Sequence, residues 1–166
     1  SNADLPIIFN KHVEVEEIKK DFNYIVVATG KVDTAKALKN FTPIFNAYAR
    51  IAVISGEFKT GTLKMWVDTK YSKSCFVFQI PHSTQKACLV VTANDISHSE
   101  LDYYWEEFLK EEGITNRIIK TSDAYHELGY VNPPRLGNIY FIGKSGGFID
   151  CVLGFGMLSG IESGIF

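Results

Sequence analysis

The stretch from Ile139 to Gly164, IYFIGKSGGFIDCVLGFGMLSGIESG, limits the possible folds of this chain more than any other. An apolar, strand-like run, Asn138 to Ile142, delivers the backbone straight into Gly143, and Gly154 and Gly156 then precede an apolar stretch that reads as the start of a helix. Glycines at the end of a buried strand predict a tight turn, because glycine reaches left-handed and close-approach conformations at little steric cost. Where a helix follows, its first amides lack intrahelical acceptors and sit at the positive end of the dipole, so they can cradle an anion. The same pattern also serves plain packing, and spacing alone does not separate the two uses.

A second strand and turn lies near the other end of the chain. Tyr24 to Ala28 is a continuous apolar run closed by Thr29-Gly30, which predicts a strand buried on both faces, as in parallel sheets. Asp33 to Asn40 predicts a short helix, and Pro43 marks a boundary. From Phe45 the pattern changes to FNAYARIAVISGEF, TLKMWVDT, SCFVFQIP and KACLVVTA, punctuated by Gly56, Gly61 and Pro81, which predicts an antiparallel meander. Within TLKMWVDT, Leu63, Met65 and Val67 alternate with Thr62, Lys64, Trp66 and Asp68, so Trp66 is expected on a mixed face, opposite an apolar one. Ser97 and Glu100 stand at capping-box spacing, and Leu101, Tyr104, Trp105 and Phe108 recur at helical spacing until Gly113. Arg117 to Tyr125 predicts a further strand and Asn132-Pro133-Pro134 a loop. The expected class is α+β. An antiparallel sheet with one covering helix spans 43–132, between remnants of an α/β unit at 4–42 and the glycine loop with its helix start at 133–166.

With 166 residues, 46% hydrophobic and 22% charged, the chain can build one sizeable core or parts of two. A net charge of -2 with scattered basic residues leaves no phosphate-binding surface, so a nucleic-acid partner is set aside. Cys75, Cys88 and Cys151 lack C-x-x-C spacing, and their odd number argues for reduced thiols in a cytoplasmic setting and against zinc. His12, His82, His98 and His126 fall in separate segments without metal-ligand spacing; His82 is set apart only by following Pro81. No G-x-S-x-G elbow supports hydrolase chemistry. No apolar run reaches the roughly 18 residues of a membrane-spanning helix, while peripheral membrane contact and oligomeric state stay open.

Three segments carry a resemblance to a family. The stretch Ile139 to Gly164 resembles the carboxy-terminal FAD motif of the flavoprotein hydroxylase and geranylgeranyl reductase group, a strand followed by Gly-Asp-Ala-Ala-Gly, a Pro-containing loop and a glycine-bearing helix start. YIVVATG, Tyr24 to Gly30, is similar to the strand and turn that passes beside the cofactor in that group. Phe76-Val77-Phe78-Gln79-Ile80-Pro81 is similar to its aromatic strand over the substrate cavity, although a core strand with an aromatic face would read the same. The three occur in the family's order.

The resemblance implies FAD as cofactor, contacted by Ala28, Thr29 and Gly30, by Gly143, Lys144, Ser145, Gly146 and Gly147, and by Gly154, Phe155 and Gly156. It implies a small apolar substrate, isoprenoid-like in this family, beneath Phe76, Phe78 and Pro81, and Trp66, on the mixed face of its strand, is a further candidate to line it. NAD(P)H or another donor would reduce the flavin, which would pass hydride to the substrate. Two departures stand out. Lys144 occupies the place of the ribitol-binding Asp, and a lysine accepts no hydrogen bond; Cys151 occupies the place of a Pro, as a reactive thiol or a small buried filler. The G-x-G-x-x-G that grips the ADP pyrophosphate is absent from this sequence, so the isolated chain is expected to hold FAD weakly. Ser1-Asn2-Ala3 has the look of a tag remnant, and the apolar ending Met157 to Phe166 has neither cap nor polar tail. Both suggest an internal piece of a longer oxidoreductase; the other reading is a non-catalytic binding module whose glycine loop only packs.

Overall fold

Ile25, Val26 and Val27 are β-branched, and they form the short strand β1, Ile25–Val27. The structure is a computed structural model of the chain and describes residues 6–74, 76–150 and 156–165. The chain divides into two units. One is built from the segments up to Phe41, from Val131 to Ile149 and from Gly156 onward, and the other from Thr42 to Tyr130.

In the first unit, α1 (Val15–Ile18) precedes β1, and α2 (Asp33–Ala37) follows it. The chain returns here in β7 (Arg135–Leu136) and β8 (Ile139–Phe141), giving a three-stranded sheet in the order β1-β8-β7. β1 and β8 are parallel, with Val26 opposite Tyr140. Ile25, Val27, Ala35, Val131, Ile139 and Phe141 close one core. The expectation that β1 is buried on both faces is corrected. Val26 is 59% exposed and Tyr24 and Tyr140 pack ring against ring beside it, because the described core of this unit covers one face only. Asn132 and Pro133, joined by a cis peptide bond, form the expected loop, where Asn40 Nδ2 donates to the Pro133 carbonyl at 2.7 Å.

The second unit is a five-stranded sheet of β2 (Phe41–Ser55), β3 (Lys64–Trp66), β4 (Val77–Pro81), β5 (Lys86–Asn94) and β6 (Ile118–Val131), in the order β3-β4-β5-β2-β6. The expected meander holds for β3, β4 and β5 but not for β2, which pairs antiparallel with β5 rather than with its chain neighbour β3. The longest strand takes the interior, where Ala52 and Ile54 are wholly buried, and the three-residue β3 is left at the edge, where a short strand presents few unpaired groups. Ser55 meets Arg117, Arg50 meets Asp123 and Asn46 meets Tyr125, so β6 runs antiparallel to β2. β5 and β6 are therefore parallel to each other, and the helix between them is the crossover that a parallel connection requires.

That helix, α3 (His98–Glu111), carries the capping box expected from the sequence. The Ser97 side chain accepts from the Glu100 backbone, and the Ser97 backbone donates to Glu100 at 2.7 Å. Leu101, Trp105 and Phe108 enter the core with Ala52, Ile54, Val77, Leu89 and Val91. Two polar contacts fasten it to one row of the sheet, Trp66-Val77-Val91-Arg50. Arg50 reaches Asp102 at 2.7 Å, and Trp66 Nε1 donates to Glu112 at 2.8 Å.

Candidate functional site

Parallel pairing decides where the two glycine turns go. Because β1 and β8 run side by side in the same direction, Ala28-Thr29-Gly30 and the turn after Phe141 leave from the same, carboxyl edge of the sheet. In open α/β sheets that edge is where ligands bind. Ile142 N–H extends the ladder by donating to the Val27 carbonyl at 3.1 Å, and the chain then forms a single 3-10 turn, Gly143–Gly146, closed by Gly147 at φ 76°. The left-handed conformation there suits glycine.

The two turns are clasped by one side chain. Ser145 is fully buried, and its Oγ accepts the Gly30 N–H at 2.9 Å and lies 3.1 Å from Thr29 Oγ1. Gly30 itself has φ 69°, and a Cβ there would meet nothing within 4 Å, so its outer side is open to a ligand. Gly146 is different. A Cβ would come within 2.7 Å of both the Phe141 carbonyl and the Phe148 ring, so this glycine is required by packing within the chain.

The helix start contributes through its side chains. After Gly156, α4 (Met157–Glu162) is a helix of six residues, ending before Ile165. Ser163 Oγ accepts the Gly143 N–H at 2.8 Å and donates to the Gly160 carbonyl at 2.7 Å, while Gly143 and Gly160 approach closely enough that a Cβ on Gly160 would lie 3.6 Å from Gly143 Cα. Ser159 donates to the Phe148 carbonyl at 2.9 Å. Neither Ser159 nor Ser163 stands out in the sequence. Small residues three or four apart in a glycine-rich helix are the available signal, but serine at such positions is too common to be diagnostic.

The fit to a flavin is divided. Gly30 presents backbone that a sugar or phosphate can approach, at the edge where ligands bind, whereas the Gly143 amide is taken by Ser163 and its Cα faces Gly160. The ribitol acceptor is missing, since Lys144, half-buried in the turn, is a cation whose pKa burial pushes down. The Gly30 amide is already satisfied by Ser145. Gly154, Phe155 and Cys151 lie outside the described residues, as does Cys75.

The sheet sorts the four side chains expected near a substrate. Phe76 and Phe78 come together, with ring centroids 5.8 Å apart. Phe78 belongs to a second row across the sheet, Met65-Phe78-Val90-Ile51, on the face away from α3. Trp66 and Pro81 alternate onto the other face, and Trp66 stacks edge-on against Phe108 at 5.1 Å. The expectation that Trp66 stands with the phenylalanines is thus corrected, because strand alternation forbids it. The exposed large hydrophobics of its own strand segment are instead Leu63, Met65 and Val67. Alternation set Met65 on the apolar face of its segment, but only register joins it to Val90 and Ile51 in a row.

The fold is similar to that of many solved structures, among them flavin-dependent enzymes. A geranylgeranyl bacteriochlorophyll reductase-like protein from Thermoplasma acidophilum superimposes with a TM-score of 0.64 at 14% identity, over 73% of this chain and 32% of that one. A flavin-dependent halogenase from Xanthomonas campestris gives 0.63 at 9% identity, over 86% and 29%. A flavoprotein/dehydrogenase from Cytophaga hutchinsonii gives 0.63 at 13%, over 85% and 38%. At these identities the likeness is one of fold, and this chain spans about a third of the length of those structures. No protein-family profile and no curated protein matches the sequence. No helix among the described residues is long and apolar enough to cross a membrane.

Proposed function

We propose that this chain is part of a flavin-dependent oxidoreductase, in which the Ala28-Thr29-Gly30 and Gly143–Gly147 turns contact FAD and the Met65-Phe78-Val90-Ile51 face of the sheet lies over an apolar, isoprenoid-like substrate. The observation that carries this reading is the Ser145 clasp, which joins two turns, 115 residues apart, at the carboxyl edge of parallel strands. When bound, FAD supplies hydride transfer, with NAD(P)H or another donor as the source of electrons. The chain's own part is to present glycine backbone to the cofactor and to exclude water with the apolar row. Lys144 in place of an acid favours a phosphate over a ribitol hydroxyl as its neighbour.

A second reading has its own support. Ser145 satisfies the Gly30 amide within the protein and Gly146 packs against Phe141 and Phe148, as in a binding module whose glycine loop is structural. One experiment separates the two. The longest natural chain containing this sequence is purified, and flavin is sought by absorbance before and after incubation with FAD. A flavin spectrum is expected; a colourless protein that takes up no FAD overturns the oxidoreductase reading. The 166-residue chain alone, without G-x-G-x-x-G, is expected to take up little.

A further inference from the structure

On α3, Tyr103, Glu107 and Glu111 follow one another at four-residue spacing, with Tyr104 beside them, so four side chains share one stripe of the helix. The stripe and the connection from β3 to β4 flank an open cleft of about 420 Å³, lined also by Lys70 and Tyr71. That volume falls in the range of small-molecule sites. Three of the lining side chains are aromatic. The Tyr71 ring is fixed, because its hydroxyl donates to Glu112 at 2.5 Å and its edge packs on Phe108. The Tyr103 and Tyr104 rings stand edge to face, 5.5 Å apart.

Lys70 Nζ lies 4.5 Å from the centroid of the Tyr71 ring, a cation held against a π face. Glu107 and Glu111 add two carboxylates, of which Glu107 also reaches Lys110 at 3.5 Å. Core packing accounts for Tyr71, which is 3% exposed, but not for Tyr103, which is 58% exposed on the same cleft.

We propose that this tyrosine- and glutamate-lined cleft binds an organic cation of the methylated-ammonium class, with Lys70 as a built-in competitor for the ring face. Aromatic faces recognise such cations because the quadrupole attracts charge without requiring hydrogen-bond donors from the ligand, and the carboxylates supply the balancing charge. The site lies wholly in the second unit and does not depend on flavin, so a protein without FAD leaves it standing.

The test is a titration of the full chain with choline chloride at constant ionic strength, sodium chloride serving as the control, followed through the ring protons of Tyr103 and Tyr104. A parallel titration uses capped trimethyllysine amide, which distinguishes a free headgroup from a protein side chain. Saturable shifts are expected with at least one of the two, and the tighter ligand identifies the source. Lys70→Ala is expected to tighten binding, and Tyr103→Leu, at an exposed position, to weaken it about two- to fivefold. Absence of saturation in both the natural chain and Lys70→Ala overturns the proposal, as does unchanged affinity in Tyr103→Leu.

Discussion

The fully buried hydroxyl of Ser145 accepts the backbone N–H of Gly30 at 2.9 Å, and through this bond two turns far apart in the chain become one surface. Thr29 Oγ1 lies 3.1 Å from the same oxygen. Ser145→Ala would leave a backbone donor without its partner, at a cost of about 1–2 kcal/mol. Urea unfolding should show a lower midpoint at constant slope, and hydrogen exchange at Gly30 should accelerate. An unchanged exchange rate would mean that the clasp does not hold the turns together.

Gly146 tests the turn by volume. A methyl group at that position meets the Phe141 carbonyl, which is strand backbone and cannot turn aside. Gly146→Ala is therefore expected to cost about 1–3 kcal/mol. Gly30→Ala, by contrast, meets open space and bears only the strain of φ 69°, about 1 kcal/mol. Thermal melts of the two variants should rank them in that order.

Asp123 links the sheet to α3 through charge. Arg50 grips it with two bonds, of 2.8 and 2.6 Å, and His98 Nε2 lies 2.7 Å from it. The Arg50 guanidinium, helped by His98, holds the Asp123 carboxyl below its usual range. A depressed carboxylate pKa stabilises the folded chain fully above the unfolded value of about 4, and this contribution is lost as pH falls through the folded value. Asp123→Asn is expected to cost about 0.5–1 kcal/mol near neutrality, since solvent screens this partly exposed pair, with the difference from the natural chain shrinking below about pH 4. Denaturant melts across that range measure it; a difference independent of pH would assign the stabilisation to packing instead.

Lys144 is the sharpest departure from the flavoprotein pattern. Burial lowers its pKa, so holding it charged costs stability below the folded pKa, and the cost is relieved as pH rises toward the unfolded value of about 10.4. Lys144→Asp restores an acceptor for a ribitol hydroxyl. If the missing carboxylate limits cofactor binding, the variant of the longest natural chain should hold FAD about tenfold more tightly or better, the worth of one hydrogen bond to a charged group. Titration of flavin fluorescence decides it, and equal affinity would show that the lysine has found another way to serve.

Much of this molecule was written locally. The Ser97 and Glu100 pair announced α3, because a capping box is a contact between neighbours in the chain, and Leu101, Trp105 and Phe108 announced its buried side through helical periodicity. Apolar runs ending in glycine announced β1 and β8 and the turns behind them. Tertiary structure decided what pairing and register alone can decide. It set β2 beside β5, turned Trp66 toward Phe108 and Phe78 away from it, and joined Met65, Phe78, Val90 and Ile51 into one row. It also brought Ser145 to Gly30, a meeting that no pattern of neighbours encodes, because the bond depends on two strands lying parallel and in register across more than a hundred residues of intervening chain.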